Sequence, residues 1–262
     1  MILVDFEIHC FRLSNILCNT RLLGNWEDVA EWLYLSAAIK SVEVNSIQFN
    51  DSFGFCSAAD DFDMAREELL NKFVLAMSRF NFVWGGLEAC LNNIEPSRHP
   101  DKYKRGKISN ACYFLNIYYS KSSYPPLLLL REEVESFRLA ARECLGYESV
   151  DERFKLAVDL GPGLGLFTVY KLRNLFSHGS LRFPYPDDEN KPHSENEKMI
   201  VSATRVVLLS IQMLLLAHYE HPKIEIPYLY NSDLDIDKET LWIALSSCHL
   251  DVEVSDSQMQ LF

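Results

Sequence analysis

Between Met64 and Ile94 the chain carries apolar side chains at Leu69, Leu70, Phe73, Val74, Met77, Phe80, Trp84, Leu87 and Leu91. Steps of three and four residues place them along one stripe of a helix, so this segment must lie against other elements along most of its length. Only Gly85-Gly86 weakens the pattern, and Pro96, Pro100 and the charged stretch to Lys107 end it. A long helix with a continuous apolar stripe points to a helical bundle. Helices are expected over Ser109–Tyr119, Leu127–Leu145, Phe154–Val158, Leu166–His178 and Glu197–Tyr219, with Tyr124-Pro125-Pro126 separating the first two. The last is hydrophobic all round, as expected for the centre of a bundle.

The first ten residues read differently. Ile2, Val4, Phe6, Ile8 and Cys10 alternate with Asp5, Glu7 and His9, the period of a half-buried strand, and Val42, Val44, Ile47 and Phe49 repeat it weakly within Ser41–Asn50. Between them Trp26–Lys40 reads as a helix with Asn25 as N-cap. The expected organisation is a mainly α chain: a small N-terminal α/β elaboration over 1–60, a helical bundle over 61–230, and an acidic tail over 231–262. The tail carries Asp233, Asp235 and Asp237 and a short helix near Leu241–Ser247.

A chain of 262 residues that is 48% hydrophobic can bury a substantial core. Its seven cysteines are odd in number and lack C-x-x-C spacing, so they read as reduced and mostly buried, not as a disulfide framework or zinc site. Asp5 and Glu7 interrupt the first apolar run, and no basic leader precedes it, unlike a secretory or transit peptide. Val206–Ala217, the longest apolar stretch, is interrupted by Ser210 and Gln212 and is short for a membrane span. A soluble cytoplasmic protein without membrane association is expected. The net charge of −12 disfavours indiscriminate binding to nucleic acid, so any RNA contact must use a local basic patch.

Arg173-Asn174-Leu175-Phe176-Ser177-His178-Gly179 closes the helix expected over 166–178. Asn174 and His178 stand one turn apart on one face, Arg173 lies on the adjoining edge, and Gly179 suits the left-handed residue that stops a helix. The group suits phosphodiester chemistry. Arg offers a planar fork of donors to phosphate oxygens, His exchanges protons near neutrality, and an Asn amide can orient either partner.

These residues closely resemble the R-x4-6-H signature, usually with Asn after the Arg, of the HEPN superfamily of compact helical bundles found in toxin–antitoxin, abortive-infection and CRISPR-associated systems. The resemblance covers seven residues and is carried by Arg173, Asn174 and His178. It implies a HEPN-like bundle acting as a metal-independent, cofactor-free endoribonuclease, as a homodimer in which the motifs of both copies share a cleft. By that resemblance His178 is the general base on a ribose 2′-hydroxyl, Arg173 holds the phosphate, and Asn174 orients one of them. A toxin or antiviral-defence setting would add a neutralising antitoxin or a defence-complex protein as partner. Position 180 is Ser, whereas the branch paired with minimal nucleotidyltransferases has Tyr there.

Other candidates are weaker. Asp101-Lys102-Tyr103-Lys104-Arg105-Gly106-Lys107 interleaves cations with an aromatic ring, which fits single-stranded RNA as well as a solvated loop. Lys171 and Arg182 flank the motif and could add RNA contacts. Asp159–Gly165 is glycine-rich but lacks the Lys-Ser/Thr of a phosphate loop, and reads as a turn before the motif helix. His218 and His221 have H-x-x-H spacing without further ligands, so no metal is assigned. Glu88 could pair with Arg173 or face solvent. No nucleophile elbow, zinc-protease motif or dinucleotide fingerprint occurs. Two rivals to the nuclease reading stand: a non-catalytic HEPN-like module that binds nucleotide, RNA or protein, and an unrelated helical interaction protein.

Overall fold

The stripe at 64–94 belongs to a single long helix that organises everything else. In the computed structural model, which describes residues 3–18, 24–49, 54, 56–119, 125–145, 161–186, 194–219, 224–227 and 238–251, the chain is mainly helical. In order, its α-helices are α1 (Phe6–Leu17), α2 (Glu27–Ala38), α3 (Ser57–Ile94), α4 (Lys107–Tyr118), α5 (Pro125–Leu145), α6 (Pro162–Ser177), α7 (Ser194–Tyr219) and α8 (Leu241–Ser247). At 1.5 Å per residue α3 runs about 57 Å, far enough to serve α2, α7 and the segment beyond α6 as a common support. The helix expected over Phe154–Val158 lies outside the described residues.

The N-terminal segment corrects the strand reading. Residues 6–17 are helical, and the buried set is Phe6, His9, Cys10, Leu13, Ser14, Ile16 and Leu17, which follows helical steps. Ile8, expected inward, is exposed, whereas His9, expected outward, is fully buried. A ten-residue window fits both periods by chance; Leu13, Ile16 and Leu17 extend only the helical one, and Glu7 in the first turn complements the helix dipole. Residues 41–46 form no strand either. Their backbone donors are taken by α3 side chains: Val44 N–H donates to Asn71 Oδ1 (2.6 Å), and Ser46 and Ile47 N–H donate to Glu67 Oε2 (2.8 and 3.2 Å). The expected α/β elaboration is therefore helix, coil and a 3-10 turn at Ile47–Phe49.

Gly85-Gly86 is a crossing point. A Cβ at Gly85 would stand 2.8 Å from the Trp32 ring, so the missing side chains let α2 lie close on α3 without breaking it. Trp26, not Asn25, occupies the N-cap of α2; the Asn25 carbonyl instead accepts from Asn93 Nδ2 at 2.5 Å.

α7 is the bundle centre. Every residue from 206 to 217 is buried, and α3 and α5 pack most extensively on this helix. Val206–Ala217 is only the middle of it, and Glu195–Tyr219 is long and apolar enough to cross a membrane, but 83% of its most apolar window is buried inside the protein. Ser210 satisfies its own hydroxyl by donating to Val206 O at 2.7 Å. A short antiparallel pair, β1 (Glu225–Pro227) with β2 (Lys238–Thr240), leads into α8, which is N-capped by Thr240.

α8 returns the C-terminal segment to α1. Leu3 bridges Leu250, Val4 N–H donates to His249 O (3.1 Å), and one core draws residues from 1–60, 61–230 and 231–262 alike. At its centre Gln212 of α7 joins two fully buried imidazoles: His9 Nε2 lies 3.0 Å from Gln212 Oε1, and Gln212 Nε2 lies 2.8 Å from His249 Nδ1 while also donating to the Leu245 carbonyl. Burial holds both imidazoles below their ordinary pKa, His249 down to about 3.

Of the seven cysteines, all are free; Cys10, Cys90, Cys112 and Cys248 are buried, whereas Cys18 and Cys56 are exposed. Burial pushes the Cys112 thiol up to about 12.

Candidate functional site

α6 begins earlier than the sequence implied. Gly161 is its N-cap and Pro162 its first residue, the position where a missing N–H and a fixed φ are no handicap. Pro162–Gly165 is thus helix, not the turn that its glycines indicated; Asp159 and Leu160 lie outside the described residues. A Cβ on Gly163 would sit 2.6 Å from Cys112 Cα and against its carbonyl, so the glycine allows α4 and α6 to touch backbone to backbone. Asn116 Oδ1 accepts from Gly163 N–H (2.8 Å), filling one open donor of the helix start. Asn116 of α4 meets the start of α6 and Cys112 meets Gly163 and Phe167, so the two helices run antiparallel.

The other end of α6 carries the motif. His178 is the C-cap, and Gly179 follows in the left-handed region at φ 63°. Gly179 N–H donates to Phe176 O (3.0 Å) and Ser180 N–H to Leu175 O (2.9 Å), which is the Schellman arrangement. His178 N–H reaches Asn174 O at 3.0 Å, so these two residues are one turn apart as expected. The His178 side chain is exposed and has no hydrogen bond or ion pair among the described residues.

Arg173 is held differently. Its guanidinium carbon stands 6.0 Å from the Trp84 ring centroid, a cation–π contact across α3 and α6. Trp84 is almost wholly buried, stacks on Tyr170 (6.2 Å, interplanar 17°), and donates its Nε1–H to Glu88 Oε1 at 2.8 Å. Glu88 therefore serves the indole, and Arg173 forms no ion pair among the described residues. Asn174 is half-buried, with its side chain likewise unbonded there.

The flanking cations divide. Lys171 packs its ammonium 4.8 Å from the Phe167 ring, while Arg182 is exposed. Lys102, Lys104, Arg105 and Lys107 are all exposed at the start of α4, with Tyr103 85% exposed among them. Lys102 lies 5.0 Å from the Tyr103 ring, Lys104 is 3.9 Å from Asp101, and Arg105 Nε–H donates to His99 O at 3.3 Å. None of them bonds to Arg173, Asn174 or His178. The antiparallel course of α4 and α6 places this run toward the motif end of α6, not its N-terminal end.

His218 packs edge-on against Trp26, burial holds its pKa below the ordinary value, and His221 lies outside the described residues. No group of three metal-ligating side chains occurs among the described residues.

Sequence reasoning missed the aromatic surroundings of the motif. From the last turn of α6 onward the chain follows α3 toward its N-terminal end: Phe176 packs on Phe80 (5.3 Å), and beyond Gly179 Phe183 packs on Phe73 (5.7 Å) and Tyr185 faces the Arg66 guanidinium (4.8 Å). Arg66, Phe73 and Phe80 are seven apart, hence on one face two turns from each other. The visible signal was the alternation of Phe183 and Tyr185 around Pro184. That segment reads as loop by composition and lies as an extended strap whose proline is buried.

No protein-family model, curated protein or solved structure matches this chain.

Proposed function

We propose that this chain is a metal-independent endoribonuclease of the HEPN type, with Arg173, Asn174 and His178 as its site and a toxin or defence role. The observation that carries the reading is the end of α6, where an exposed imidazole follows an arginine held on an indole face, and neither has an ion-pair partner among the described residues. Such an arginine keeps its donors for an anion, and such an imidazole is open to substrate.

His178 takes the proton of a ribose 2′-hydroxyl, and the 2′-oxygen attacks the adjacent phosphorus. The 5′-oxygen leaves with a proton from the His178 of a second copy. A 2′,3′-cyclic phosphate and a 5′-hydroxyl remain, and Arg173 stabilises the charge on the phosphate oxygens. A second copy is the proposed source of that proton, since His9, His99, His218 and His249 are engaged elsewhere in the fold and one chain brings one imidazole to the site among the described residues. A neutralising antitoxin would have to cover this end of α6.

The test is labelled single-stranded RNA with excess chelator, wild type against His178→Ala. Cleavage by the wild type alone, giving cyclic-phosphate ends, is expected; cleavage of an all-deoxy strand or complete inhibition by chelator would defeat the mechanism. The non-catalytic binding module is the second reading, favoured by that single imidazole per chain. Its signature is RNA binding with no cleavage by wild type.

A further inference from the structure

The strap after Gly179 places aromatic rings in water where a folded chain would ordinarily turn them inward. Phe183 is 59% exposed and Tyr185 50%, yet both are fixed: Pro184 between them is buried, Phe183 leans on Phe73, and Tyr185 has Arg66 against its ring. The neighbouring cations Arg66 and Arg173 meet rings rather than carboxylates among the described residues. Arg66, Arg173 and Arg182 form no ion pair among the described residues, whereas Arg79, Arg138, Lys72 and Lys198 are each within 3 Å of a carboxylate. In a protein of net charge −12, Arg173, Arg182 and Arg66 nevertheless set three cations along the course from the end of α6 to Tyr185.

We infer that Phe183 and Tyr185, with Arg66 and Arg182 beside them, form a nucleobase-stacking subsite for single-stranded RNA that continues from the end of α6. This rests on the reading of Arg173 and His178 as the RNA-cleaving pair. Unpaired bases present a π-face to each ring and phosphates pass the arginines, an arrangement that accepts any sequence and rejects a duplex, whose bases are already stacked. The strap leaves α6 directly after His178 and Gly179, so the nucleotides it holds adjoin the scissile phosphate. The subsite selects for strandedness, while Arg173 and His178 act on the bond.

The experiment measures binding of a labelled single-stranded oligoribonucleotide of about 12 residues, within the span of known single-strand sites. Full-length His178→Ala protein is compared with the same protein carrying Phe183→Ala and Tyr185→Ala, and with Phe183→Trp and Tyr185→Phe as ring-preserving controls. Loss of both rings should weaken binding about 100-fold, about tenfold per ring, with the controls near the parent value. A duplex of the same sequence should bind weakly to all. Unchanged affinity in the double Ala protein, or equal affinity for duplex, overturns the subsite. So does a change in sedimentation with RNA binding intact, which would make the rings a contact between copies. Failure of the nuclease reading shows separately: wild type that binds through these rings but never cuts retains the subsite and loses the catalytic assignment.

Discussion

Replacing His249 by Asn and following stability from about pH 7.5 to about pH 5 isolates one buried titration from the many carboxylates that titrate alongside it. Gln212 uses one amide proton on the Leu245 carbonyl and one on His249 Nδ1, so the imidazole must present a bare nitrogen there. Its Nε2 is buried without a hydrogen-bond partner among the described residues. A proton on Nδ1 would face the amide protons of Gln212, and the only remedy, turning the amide, would strip Leu245 O of its donor. Burial holds His249 neutral in the folded state, at a pKa of about 3 against 6.5 for the free side chain, and the Gln212 bonds suit that neutral form. The base is depressed, so its contribution is complete above pH 6.5 and is lost as pH falls from 6.5 toward 3, because the unfolded chain takes up the proton first. At about pH 5 the difference is 1.5 decades of protonation, or about 2 kcal/mol. Asn keeps an acceptor near the position of Nδ1 and does not titrate, and any packing loss it brings is the same at both pH values. Urea unfolding should then show wild type losing about 2 kcal/mol more than His249→Asn over that interval. Parallel pH curves for the two proteins would refute the neutral-imidazole argument. His9 is depressed in the same direction, chiefly by desolvation and then by His249 and Arg205, so it adds to the acid sensitivity that remains in the variant.

Gly163→Ala tests the approach of α4 to α6: Ala inside a helix ordinarily gains about 1 kcal/mol over Gly, but here its Cβ meets the Cys112 backbone, so a net loss of about 2 kcal/mol in urea unfolding is expected, and a gain would show that the helices are not in contact. Arg173→Lys keeps the charge but loses the planar fork and the stacking on Trp84, and should lower RNA cleavage at least about tenfold; full activity would remove Arg173 from the phosphate. Replacing Lys102, Lys104, Arg105 and Lys107 together should leave the melting temperature unchanged, because all are exposed, and flatten the salt dependence of RNA binding by up to about 3 units of log–log slope. Specific activity should fall on dilution below the dimerisation constant, and excess His178→Ala protein should suppress wild type; constant activity from a sedimenting monomer would refute the shared cleft.

The helices of the bundle were legible because their stripes are long enough for one period to win. Leu69 to Leu91 repeats over many turns, and the all-apolar run in α7 admits only a central position. Where a segment is short, the same reasoning is underdetermined. Met1–Cys10 satisfies two periods at once, and the choice is made outside the segment, by the helical continuation through Leu13, Ile16 and Leu17 and by Gln212 reaching His9 from α7. Ser41–Asn50 has strand-like alternation, but a strand needs a partner to receive its backbone bonds. Asn71 and Glu67 receive them instead. Glycine was ambiguous for a related reason: Gly85, Gly163 and Gly179 all read as interruptions, yet Gly85 and Gly163 are points of close approach and only Gly179 turns the chain.

The end of α6 was legible from spacing alone, since Gly179, the turn between Asn174 and His178 and the exposure of the imidazole all follow from local helix geometry. What surrounds it was not, because the surroundings come from α3. Trp84 counts as one more core position in a stripe until Tyr170 is stacked on it and Arg173 stands over it, at which point it fixes where a cation of the motif can point. Phe183 and Tyr185 likewise become a surface only when Pro184 is anchored and the seven-residue spacing of Arg66, Phe73 and Phe80 lays one face of α3 beneath them. Local sequence therefore specifies the geometry of the α6 end, while tertiary packing specifies the aromatic surface beside it. A change confined to α3, such as Phe73→Ala, should accordingly loosen RNA binding through the strap while leaving the cap hydrogen bonds of Gly179 and Ser180 intact.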